Sequence, residues 1–160
     1  MKAWLMAALV AATALGGCGR LGDSPLNPAN WFGGSTAERT LPADQGGPTA
    51  DGRRLVDQVA QLQVDRMPGG AIVTAVGLPP TQGWWEADLV PVTAAVDGDP
   101  LAEAGAIELE FRIAPPPGPR RQGAPPSREV TAALFISDRR IAGVDRITVR
   151  GLRNQRTTRR

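Results

Sequence analysis

The chain has 160 residues, 42% of them hydrophobic and 21% charged, with 18 Lys+Arg against 16 Asp+Glu, one cysteine, no histidine and no tyrosine. That length suits one ordinary domain and excludes two large ones. With no imidazole and a single thiol, the common zinc sites, the Ser/His and Cys/His nucleophile pairs and any internal disulfide are ruled out, and the expectation is a noncatalytic protein without metal or cofactor.

Met1 and Lys2 supply a positive start, Ala3 to Leu15 form a charge-free, mostly apolar run of 13 residues, and the small Gly16 and Gly17 follow. This is the layout of a secretory signal, expected to span residues 1–17. As a helix the run would rise only about 20 Å, short of the roughly 30 Å hydrocarbon core that a permanent span must cross. Leu15-Gly16-Gly17-Cys18 resembles the lipobox of bacterial lipoproteins: a branched apolar residue, two small residues and a cysteine closing the signal. That resemblance implies diacylglyceryl transfer to the Cys18 thiol, cleavage between Gly17 and Cys18, and acylation of the new amino terminus. Each buried methylene contributes ~0.8 kcal/mol, so two or more chains hold where one holds only marginally. Gly19 in place of an aspartate, by resemblance to sorting in Gram-negative bacteria, implies the outer membrane, with the body facing the periplasm.

From the lipidated cysteine to Arg54 the chain is rich in Gly, Pro, Asn, Asp, Ser and Thr without sustained apolar periodicity, which predicts a flexible linker over 18–54 with an end-to-end distance on the order of 30 Å. Within it stand two adjacent aromatics, Trp31 and Phe32. They suit an interfacial foot, a partner-docking peptide or a plug folded back on the body, Trp favouring the membrane interface. This segment and parts of the body resemble uncharacterised lipoproteins of alphaproteobacteria, which implies an address in the envelope and no particular activity.

Beyond Arg54, short apolar runs alternate with Gly and Pro clusters. They predict six strands: Val59 to Arg66, Ala71 to Leu78, Trp84 to Pro91, Ile107 to Ile113, Arg128 to Ser137 and Arg146 to Arg150. Period two is plainest in Ile107-Glu108-Leu109-Glu110-Phe111-Arg112-Ile113, with the apolar residues on one face and the two glutamates and Arg112 on the other. Six strands without a long intervening helix predict an all-β fold, a small antiparallel β-sandwich over 55–152 with an immunoglobulin-like or fibronectin-like layout. Asp51 to Ala60 also fits helical spacing through Leu55, Val59 and Leu62. Pro115 to Pro126 carries six prolines in twelve residues around Arg120 and Arg121, cannot continue a central ladder, and is expected as an extended loop and contact surface.

Carboxylate pairs are the remaining catalytic candidates, and Glu86/Asp88 and Glu108/Glu110 each alternate onto one strand face. Glycoside hydrolysis needs two acids converging across a cleft, one with a raised pKa, whereas neighbours on a solvated strand point into water. Trp84 and Trp85, adjacent in a strand, must face opposite sides, one into the core and one outward. An exposed ring there could stack on a sugar of a cell-wall glycan.

Charge is uneven: Cys18 to Phe111 holds 5 Arg and 13 Asp+Glu, while Arg112 to Arg160 holds 12 Arg and 3 Asp+Glu. No acid follows Asp145, so residues 153–160, with Arg156, Arg159 and Arg160, are expected as a free basic tail. In a periplasmic setting the partners expected for such arginines are an acidic envelope protein, or anionic glycan or lipid, rather than nucleic acid.

Overall fold

The computed structural model describes residues 36–40, 52–95 and 97–159. It is an all-β, two-sheet sandwich. The strands are β1 (Thr36–Thr40), β2 (Arg54–Leu55), β3 (Gln58–Met67), β4 (Gly70–Leu78), β5 (Trp85–Pro91), β6 (Ala106–Ala114), β7 (Val130–Ser137), β8 (Arg146–Arg150) and β9 (Asn154–Arg159). One four-residue helix, α1 (Asp138–Ile141), joins β7 to β8 and buries Ile141.

The smaller sheet runs β3-β4-β7, and the larger runs β1-β9-β8-β6, with β5 on the far side of β6. Leu109 of β6 pairs with both Pro91 and Val149, and Arg112 pairs with both Asp88 and Leu55, so β8 and the short β2 share one edge of β6 while β5 holds the other. β3 lies against β9, and β5 against β7, closing the two layers.

The core follows from alternation. In β4 the inward positions are Ala71, Val73, Ala75 and Gly77, all buried, and their small size leaves room for the larger Leu89, Leu109 and Phe111 of the opposing sheet. The fit against the opposing sheet is tight at Gly77, where a Cβ would lie 2.9 Å from the Phe111 ring and 2.8 Å from a Val56 methyl. β8 contributes Ile147 and Val149, and Val144 and Ile141 seal one end.

All six expected strands are present, with ends displaced by two residues or fewer. Other features differ. β6 and β8 pair in parallel, since Ala106 aligns with Arg146 and Glu110 with Arg150, so the sandwich is not wholly antiparallel. The stretch 51–60 is not helical where described. Val56 donates its N–H to the Phe111 carbonyl (2.8 Å) and accepts from Leu152 N–H (2.7 Å), and these long-range bonds hold it extended. The expected linker contains β1 and the start of β2. The expected free tail is strand β9, antiparallel to both β8 and β1, and its polar inward residues Asn154 and Thr158 are buried.

On the outer face of β6 the wetness expected of all three charged residues fades along the strand. Glu108 is exposed, Glu110 half-buried and Arg112 buried. Arg112 is compensated by Glu110 through Nε (2.9 Å) and Nη2 (2.6 Å), a charge-assisted chelate that offsets desolvation.

Candidate functional site

At the end of the sandwich where β6 finishes, the two tryptophans take opposite roles. Trp84 is half-buried against the core and its Nε1 donates to Thr81 Oγ1 at 3.1 Å. Trp85 is 54% exposed, and its Nε1 donates to the Pro115 carbonyl at 3.2 Å, fixing the ring at the start of the Pro-rich loop.

A bulge positions this ring. Trp85 pairs with Ala114 but Asp88 pairs with Arg112, so β5 carries one residue more than β6 across this stretch. Glu86 absorbs the extra residue in the left-handed region, at φ 45°. The expected pairing of Glu86 with Asp88 on one face is broken by this insertion, and Trp85 and Asp88 share a face instead. The Asp88 carboxylate is held by Arg53 at 3.3 Å, and Glu110 by Arg112. Neither expected carboxylate pair therefore presents two free acids across a cleft. No group of three acidic or thiol side chains among the described residues is placed to hold a metal ion.

The Pro-rich loop folds onto the segment before Trp84. Gln82 N–H donates to the Arg121 carbonyl (3.1 Å) and Gln82 Nε2 to Ser127 Oγ (2.8 Å), while Ser127 Oγ donates to the Ala124 carbonyl (2.7 Å). Arg128 donates to the Pro79 carbonyl. Gly83, at φ 84°, leaves space for the Arg120 stem, whose Cγ lies 3.3 Å from where a Cβ would stand. The loop therefore carries two exposed guanidinium-bearing residues, Arg120 and Arg121, and is tied to the exposed indole, while Arg53, Glu86 and Asp88 line a shallow depression along β5. Among the described residues no carboxylate forms an ion pair with Arg120 or Arg121.

The other expected contact residues are not brought here. Arg156 donates through Nη2 to Glu38 (2.7 Å) and through Nε to the Val59 carbonyl (2.8 Å), so it braces β1 and β3. Arg159 stands opposite Arg146 in the β8–β9 ladder. Gly17, Cys18, Trp31, Phe32 and Arg160 lie outside the described residues. Gln82 and Ser127, which staple the loop, carried no sequence signal beyond their places beside Gly83 and the Pro125-Pro126 pair.

Scanned against protein-family models, curated proteins and solved structures, the chain matches none of them. The class that fold and surface define is an all-β sandwich with one aromatic, arginine-flanked edge. No helix among the described residues is long and apolar enough to cross a membrane.

Proposed function

We propose that this protein is a noncatalytic, lipid-anchored component of the cell envelope, held through acyl chains on Cys18 in the outer membrane, whose sandwich binds or scaffolds another envelope component. The observation that carries the binding role is the convergence of Trp85 with the Pro-rich loop. A large, rigid, half-exposed ring tied to a loop that carries Arg120 and Arg121, which form no ion pair among the described residues, has the composition of an interaction hot spot, and its hydrogen bond to Pro115 limits the entropy lost on docking. Capture from detergent-solubilised envelope tests this. The wild-type chain retains a reproducible partner and Trp85→Ala or an Arg120→Glu/Arg121→Glu double variant loses it; equal retention by all three overturns the reading. Mass spectrometry of natively purified protein tests the anchor, with acylated Cys18 expected and a free thiol or intact leader contradicting it.

A second reading is favoured by the carboxylates and Arg53 beside the same ring. An indole that stacks on a sugar, with Glu86, Asp88 and Arg53 to hydrogen-bond its hydroxyls, suits a cell-wall glycan. Saturable quenching of tryptophan fluorescence by soluble wall fragments, retained in Trp84→Phe and lost in Trp85→Phe, supports it. No quenching removes it.

A further inference from the structure

A strand at the edge of a sheet presents unpaired N–H and C=O groups, a template for another strand unless charge, proline or a bulge blunts it. Three edges among the described strands are blunted in this way. β1 carries Glu38 and Arg39, β3 has its register slip between Val59 and Gln61 and the charged Asp65 and Arg66, and β5 has a bulge, Glu86, Asp88 and Pro91. β7 has none of these devices. Val130–Ser137 is eight residues without charge, proline or glycine, and it runs along β4 without a slip, from Ser137 opposite Gly70 to Val130 opposite Gly77.

The far side of β7 is open. Among the described strands only β4 pairs with it, and β5, which lies beside it in the other layer, makes no backbone hydrogen bond to it. Leu134 points toward the core yet is only half-buried, as an uncovered edge requires, whereas Ala132 and Ile136 on the same face are buried. On the outer face Thr131, Ala133 and Phe135 are exposed. Phe135 remains 50% exposed although its ring folds over Gly70 of β4, where a Cβ would lie 2.8 Å from it. A long, uncharged, apolar edge of this kind is what a second strand adds to.

We propose that β7 pairs antiparallel with β7 of a second copy of this chain, across a two-fold axis at Leu134, joining the two smaller sheets into one of six strands. With the axis normal to the sheet, residues of like face stand opposite each other, so Leu134 meets its own copy, Phe135 meets the small Ala133, and Thr131 meets Ser137. Self-pairing would set a charge near the axis against a like charge, and β7 offers none. Just past the strand, the same register carries Glu129 of one copy to the start of α1 in the other, where Arg139 stands. Both are exposed, neither forms an ion pair among the described residues, and the symmetry makes the contact twice. An axis at Ala133 or at Phe135 would set Glu129 against Ser137 or Ile141 and lose the match. This charge complementarity, with a neutral strand between its two ends, favours a second copy over an unrelated strand. The inference rests neither on the Trp85 surface nor on the Cys18 anchor.

Sedimentation equilibrium of the natively purified full-length chain, in density-matched detergent with empty micelles in large excess, tests this. A concentration-dependent dimer is expected. Amide exchange over Val130–Ser137 should slow at least about tenfold from dilute to concentrated samples, while β3 at the opposite edge is unchanged. Ala133→Lys, which sets a charge on the open edge, should raise the dissociation constant at least about tenfold. Glu129→Arg or Arg139→Glu alone should raise it at least about fivefold, since each reversal acts at both ends of the interface, and the two together should return it to within about twofold of wild type. All of these variants alter exposed side chains, so they test the contact and not the fold. A monomer at every concentration overturns the proposal and leaves the edge to a strand of a different protein. A dimer indifferent to Ala133→Lys, single reversals without effect, or a double reversal that fails to restore association overturns it as well.

Discussion

Asn154 of β9 and Val59 of β3 exchange a reciprocal pair of hydrogen bonds across the two sheets. Asn154 Oδ1 accepts from Val59 N–H at 2.7 Å, and Asn154 Nδ2 donates to the Val59 carbonyl at 3.1 Å. The site is where β3 slips register against β4, between Val59 and Gln61, so a buried side-chain amide satisfies backbone groups beside a bulge. The same Nδ2 also donates to Glu38 Oε1 at 2.7 Å, which adds β1 to the junction.

Asn154→Ala strands the buried Val59 N–H and should destabilise the fold by about 2–3 kcal/mol. Asn154→Asp keeps the acceptor but loses both donors and sets a carboxylate against Glu38 and a carbonyl, so it should cost at least as much at neutral pH. Urea unfolding of the two variants beside wild type checks both, and a change under about 0.5 kcal/mol in either would show that water replaces the amide.

Gly77→Ala pushes a methyl against the fully buried Phe111 ring and should destabilise by about 1–3 kcal/mol. Phe111→Leu on that background should recover part of the loss, because the clash and the ring share one space. A double-mutant cycle reads this as a coupling energy, and strict additivity would place the strain elsewhere.

The Asp99 N–H beside Asp97, followed by Arg140, holds the Asp97 carboxyl below its ordinary value near 3.8. A depressed folded-state pKa contributes stability above the unfolded value, lost as pH falls through the folded one. Carbon-detected titration should therefore show Asp97 protonating below pH 3.8, with the midpoint moving up in Arg140→Gln yet staying below that value, since the Asp99 bond remains. An unchanged midpoint in the variant would remove Arg140 from the account.

Glu38→Ala removes the carboxylate that joins β1 to Asn154 and Arg156. Amide exchange over Thr36–Thr40 should rise at least about tenfold while β6 stays protected, because local opening of an edge strand needs far less free energy than global unfolding. Equal acceleration in β6 would mean that β1 is integral to the core.

The strands that carry apolar alternation were legible in the sequence, and Ile107 to Ile113 shows why: each inward residue is hydrophobic, and burial selects the register. β9 was not, because its inward positions include the polar Asn154 and Thr158, and what recommends Asn154 is a partner 95 residues away at Val59. β1, Thr36-Ala37-Glu38-Arg39-Thr40, has no apolar alternation either. The parallel match of β6 with β8 leaves no local trace, since either orientation buries the same faces. Trp84 and Trp85 could be divided between core and solvent by alternation alone, and Arg120 and Arg121 could be placed on an exposed loop. That these two features meet depends on Gln82 reaching Arg121 and Ser127.

The bond between Arg156 and Glu38 joins residues 118 positions apart, and among the described residues β1 pairs with no strand other than β9. Because a chain is made from its amino end, β1 is complete long before β9, and until β9 follows the one ladder described for β1 cannot form, so a factor that shields open β-edges has a long opportunity on this segment.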